Sequence, residues 1–119
     1  MANHGLFIGF GYPVRGRERQ AAAVFQEALQ YYGGLQQRGD LESFEAGFLE
    51  PHGGDLGGFI LLRGDIAKLN RMRYEDAEFQ RILVKSQLDV ESIGVIAVQL
   101  GDQITQAMNL FMNEVNALG

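Results

Sequence analysis

The spacing of apolar residues switches along the chain between two and three-to-four, and that succession constrains the fold more than any single motif. Leu6 to Tyr12 is an aromatic and aliphatic run that stops at Pro13, as a strand does. From Arg17 the period lengthens: Ala21, Val24, Phe25, Ala28, Leu29, Tyr32 and Leu35 trace one stripe of a helix that Gly39 can stop. Gly33-Gly34 lies inside this stripe at about 1 kcal/mol per glycine relative to alanine, so the helix is open to a kink or an early end there. Ser43 to Glu50 and Leu56 to Arg63 read as two strands joined by a proline- and glycine-rich link, as in a hairpin. Asp65 can cap a short helix through Leu69 and Met72, and a second helical piece from about Asp76 carries Phe79, Ile82, Leu83 and Leu88. Ser92 to Leu100 is a fourth strand, and Ile104 to Leu118 is an amphipathic C-terminal helix.

The resulting order is β-α-β-β-α-β-α, the split βαβ or ferredoxin-like arrangement: a four-stranded antiparallel sheet with helices on one face. The 119 residues suit a single domain, with no room for a second. The whole chain resembles the dimeric α+β barrel group. It is similar, more narrowly, to a small bacterial family marked by PVRGRE at Pro13 to Glu18, EPHGGDLGGFILLRGD at Glu50 to Asp65 and EFQRI at Glu78 to Ile82. A weaker likeness, in the helix that ends at a glycine before a strand hairpin, is to YCII-related proteins.

Strand side chains alternate, so each strand divides into two sets. Leu6, Ile8, Phe10, Phe44, Ala46, Phe48, Ile60, Leu62, Ile93, Val95 and Ala97 form a bulky set assigned to the helices. The other set contains at least one glycine per strand, yet it also holds Phe7, Leu49, Phe59, Leu61, Ile96 and Val98. An apolar patch of that extent marks an interface. The expected cover is the sheet of a second subunit, as the barrel group implies and as suits the commonest symmetric oligomer; the competing cover is the chain's own C-terminal helix. The glycines on this face serve either the curvature of a closing barrel or space for a ligand between sheets.

Five residues are singled out as candidate ligand contacts. Glu45 and Arg63 share a parity set across the hairpin and should meet as an ion pair, which either sets register or orients a small polar molecule. Arg15 belongs with Arg17 and Arg19 at the start of the first helix, where the dipole disfavours cations. That cluster calls for a compensating acid among Glu18, Asp40, Glu42 or Glu50, or for a bound anion held with the helix amides. Tyr12 can add a hydroxyl beside it. His52 lies in EPHGGDLGG, which passes from strand to strand without a GK[ST] or GxGxxG pattern and so reads as a turn, not a phosphate loop.

Several functions are disfavoured. A net charge of −5 argues against tracking nucleic-acid phosphates. Two histidines and no cysteine make a thin set of metal ligands, and neither a metal nor another cofactor is expected. No run approaches the ~20 apolar residues of a membrane span, the N-terminus lacks a signal peptide's basic region, and a cytoplasmic setting is expected. The leading expectation is a homodimer that binds a small, anionic or partly apolar molecule between or beside its sheets. Its rivals are a cofactor-independent enzyme, monooxygenase- or isomerase-like, using Glu45 and Arg63, and an interaction module without a ligand.

Overall fold

The computed structural model describes residues 2–119 as β1 (His4–Phe10), α1 (Glu18–Gln37), β2 (Ser43–Phe48), β3 (Gly58–Gly64), α2 (Ile66–Glu75), α3 (Ala77–Asp89), β4 (Gly94–Gln99) and α4 (Asp102–Ala117). The strands form one antiparallel sheet in the order β2-β3-β1-β4, the ferredoxin-like fold. Register follows the division by parity: Leu6 lies between Leu62 and Ala97, and Ile8 between Ile60 and Val95. Apart from Ala97, which is exposed, these side chains meet Val24, Ala28, Tyr32 and Leu35 of α1, Leu69 and Met72 of α2, and Phe79 and Ile82 of α3 in the core.

Local signals set the helix ends. Asp65 and Asp76 cap α2 and α3, accepting from the Lys68 and Glu78 amides at 3.1 and 2.9 Å. α1 runs through Gly33-Gly34 without a break. Tyr32 and Leu35 are both buried on either side of the pair, so packing outweighs the poor propensity of glycine. Leu88, expected on the inner stripe of α3, is exposed, and Asp89 takes the buried place beside it.

Two glycines of the second face lie under aromatic rings. The Phe59 ring lies against Gly47, where a Cβ would come within 2.8 Å of it, and the Phe7 ring lies against Gly9 at 2.9 Å. The two rings stack with centroids 5.5 Å apart and an interplanar angle of 16°. Glycine here makes space for aromatic rings to lie flat on the sheet.

α4 does not cover that face. No residue of α4 is buried, and Ile96 on the second face is 57% exposed. The reading in which the C-terminal helix wraps its own sheet is therefore corrected: β4 ends in a turn that sends α4 away from the body of the molecule.

Candidate functional site

The space with the shape of a site lies on the helix side of the sheet. It is a pocket of about 530 Å³ between α1, α3 and the ends of β1 and β3. Its floor is Ile8, Phe10 and Ile60, its walls include Val24, Phe25 and Ala28 of α1 with Ile82 and Leu83 of α3, and its rim includes Tyr12, Phe48 and Leu49. The volume has a local cause. α1 presents Ala21 and Ala28 one above the other on its buried stripe, two turns apart, where larger residues would close the gap. An aromatic lip surrounds the opening: Phe25 lies 5.9 Å from Phe10 and 5.2 Å from Phe48, whose side chain is 72% exposed.

The polar complement is small. Tyr12, Tyr32 and Ser86 supply hydroxyls, Gln26 an amide and Glu18 a carboxylate. Burial alone pushes the Tyr32 phenol above its ordinary range, so it stays a neutral hydroxyl. Ser86 Oγ donates to the Ile82 carbonyl at 2.8 Å, a bond internal to α3. The Gly16 amide donates to Glu18 Oε2 at 3.1 Å and, with the backbone amide of Glu18 itself, holds that carboxyl below the usual range.

The rim is tied together by backbone bonds from segments distant in sequence. Gly11 donates to Glu91 at 2.7 Å, Glu91 to Tyr12 at 3.0 Å, Gly57 to Phe10 at 2.8 Å and Leu49 to Gly57 at 2.8 Å. Arg17 fastens the start of α1 to the end of α3: its Nε donates to Asp89 Oδ1 at 2.9 Å, with the terminal guanidinium nitrogen at 2.7 Å from the same oxygen. The acid that compensates the arginine cluster is thus Asp89, and not Glu18, Asp40, Glu42 or Glu50. Asp89 is 72 residues away and its side chain is almost fully buried, a pairing that only the fold creates.

Of the five residues singled out from sequence, Tyr12 alone lines the pocket. Glu45 and Arg63 do form an ion pair, at 2.8 Å, on the second face. They are diagonal neighbours, since Glu45 lies opposite Leu61 and Arg63 opposite Ser43. In the single chain the pair is open to solvent and separated from the pocket by the sheet. Arg15 is exposed in the loop before α1 and is not part of the lining. His52 turns inward on its own loop: Nδ1 accepts from the Gly54 amide at 3.1 Å, and Nε2 donates to the Leu56 carbonyl at 2.6 Å. This places its proton on Nε2 and engages both ring nitrogens in holding the turn. The residues that sequence reasoning missed are Phe25, Ala28, Ile82 and Leu83. The one sequence trace of them is Ala21 and Ala28, small residues on the buried stripe of α1, which become a cavity only once α1 lies on the sheet. Among the described residues, no group of three or more His, Cys, Asp or Glu could hold a metal ion.

No protein-family model matches the sequence, and comparison with curated proteins finds no relative. Solved structures do share the architecture. A dimeric ferredoxin-like protein of unknown function from Jannaschia sp. CCS1 superposes with a TM-score of 0.62 at 18% identity, over 82% of this chain and 99% of that one. A hydroxynitrile lyase from Passiflora edulis gives 0.62 at 15%, over 85% and 96%. SnoaB, a cofactor-independent oxygenase from Streptomyces nogalater, gives 0.56 at 11%, over 84% and 95%. What these proteins have in common with this chain is the ferredoxin-like fold.

Proposed function

We propose that this protein is a homodimer that binds a small apolar or aromatic molecule in the pocket between α1, α3 and the sheet. The observation that carries the reading is the pocket itself. Its 530 Å³ falls within the ~300–1,000 Å³ of small-molecule sites, and its lining joins many apolar groups to a few hydroxyls. The one charged lining group is the Glu18 carboxylate, so a neutral ligand, especially one that donates a hydrogen bond, suits the site better than an anion. Binding is favoured over catalysis. The lining offers no imidazole, and a carboxyl held below its usual range is a weak general base. The oxygenase and the lyase of similar fold keep a cofactor-independent enzyme as the alternative.

The dimer reading is supported by the second face, where Phe7, Phe59, Leu61 and Ile96 remain partly or largely exposed, and by the dimeric Jannaschia protein of the same fold. Two such sheets face to face make the α+β barrel. A cytoplasmic setting suits the cysteine-free chain. Kinship with the small bacterial family rests on the PVRGRE, EPHGGDLGGFILLRGD and EFQRI stretches.

The test is a titration with 1-naphthol, a neutral aromatic donor, and with benzoate, a similar-sized anion, followed by calorimetry. Saturable binding of 1-naphthol is expected, with benzoate weaker. Ala22 lines the pocket but is exposed at its mouth, so Ala22→Trp should block entry without overpacking the core and weaken 1-naphthol at least about tenfold, or about 1.4 kcal/mol. Absence of binding, or binding that ignores Ala22→Trp, would overturn the reading.

A further inference from the structure

α4 is a helix without a tertiary partner in its own chain. None of its residues is buried, although Ile104, Met108, Phe111, Met112, Val115 and Leu118 are large and apolar and stand 40–89% exposed. At 100° per residue these side chains and Ala107 share one broad stripe, while Asp102, Gln106, Asn109 and Asn113 lie opposite. The stripe exposes on the order of 500 Å² of apolar surface, near the upper limit for a patch on a monomer. An isolated helix of about this length is marginal in water, so its stability must come from packing.

We infer that α4 is a dimerisation arm: it crosses to a second copy of this chain and lays its Ile104–Met108–Phe111–Val115 stripe on that copy. The inference rests on the homodimer proposed above and adds to it a contact that the sheet face alone does not supply. Four observations single out a second copy as the occupant.

The first is direction. The Leu100 amide donates to the Asn3 carbonyl at 2.9 Å, and the Asp102 amide to Asn3 Oδ1 at 3.2 Å. Between them Gly101 adopts φ +53°, where a Cβ would stand 2.8 Å from Asn3 Oδ1. The turn is therefore built for glycine and aims α4 outward from the β1–β4 side of the sheet. The second is continuity. α4 leaves from β4, whose Ile96 and Val98 belong to the proposed interface, so arm and sheet face form one extended apolar surface.

The third is charge. No lysine or arginine follows Lys85, and the polar side of α4 is mainly amide. A helix that lies on a membrane surface is rich in Lys and Arg on its polar face, which disfavours lipid as the occupant. Charge depletion is the mark of the core of a protein interface, and the two acids of α4, Asp102 and Glu114, both lie off the apolar stripe, so the stripe itself brings no like charges together. The fourth is size. The similar structures are matched over 95–99% of their own lengths but only 82–85% of this chain, a shortfall the size of α4 with its flanks. The arm would add to the ~800 Å² per partner of a standard interface.

Hydrogen exchange of the intact protein, read together with sedimentation, tests this. At concentrations where the protein is dimeric, amides of α4 should be protected at least tenfold, and dilution to monomer should remove that protection while β1 and β3 keep theirs. Phe111 is 62% exposed in its own chain, so the thermal midpoint of Phe111→Asp as a monomer should stay close to wild type while its dimer dissociation constant rises at least tenfold. A dimer whose α4 exchanges freely, or that ignores Phe111→Asp, would overturn the arm and leave the sheet-face dimer standing. A monomer at all concentrations would overturn both, and a protected α4 in a monomer would show that the helix folds back on its own chain.

Discussion

Phe59 rests flat on the sheet because Gly47 carries no side chain, and Phe7 does the same over Gly9. A valine at position 47 would favour the strand by propensity but push the ring off the face. Gly47→Val should change monomer stability by no more than about 1 kcal/mol, since the two effects oppose each other. It should nonetheless raise the dimer dissociation constant at least tenfold, because a displaced ring spoils a flat interface. Equal self-association of the variant and wild type in sedimentation equilibrium would count against the second face as the contact. At this scale the sequence was informative about type and less so about geometry. The parity of Phe59, Glu45 and Arg63 could be read directly, and the ion pair formed. That Gly9 and Gly47 leave room for rings depends on rotamers that alternation does not encode. His52 likewise had to be seen in its loop before both nitrogens could be assigned to backbone partners.

At the scale of elements, α1 and α3 are joined by Glu27, which accepts from Arg81 at 2.6 Å and from Lys85 at 2.9 Å. The Arg81 and Lys85 partners lower the Glu27 pKa below the ordinary 4.5. A depressed carboxylate contributes stability that is fully present above its unfolded value and is lost as pH falls through the folded one. The pair is largely solvated, so the contribution is small, but its sign is definite. Urea unfolding of wild type and Glu27→Gln should therefore differ at pH 7 and converge near pH 3; a gap of equal size at both would contradict the assignment. Elements themselves were legible because each had its own period and cap. Asp65 was recognisable as an N-cap because a short acceptor before a helical stripe satisfies free amides, and Asp76 marked only where the second stripe begins. What stayed hidden was pairing across distance: Arg17 with Asp89 joins residues that only the docking of α1 against α3 brings together.

At the scale of the whole molecule, the sheet divides two tasks. Its helix side encloses the pocket, and its other side, extended by α4, forms the proposed contact with a second copy. The outward helix enlarges the molecule, giving a radius of gyration of 16.6 Å against the ~13–14 Å usual for a compact domain of this length. The second face was readable from sequence, since bulky residues of both parities leave a sheet with two apolar sides. The pocket was not, because a cavity is the difference between what surrounds it and what could have filled it, and Ala21, Ala22 and Ala28 show that difference only once α1 lies on the sheet. The most direct test of the account is a methyl-labelled nuclear magnetic resonance titration of the intact protein with 1-naphthol. Saturable shifts are expected at Ile8, Val24, Ile82 and Leu83, which line the pocket. Shifts at Leu61, Ile96 and Val98 on the opposite face, or none at any methyl, would contradict it.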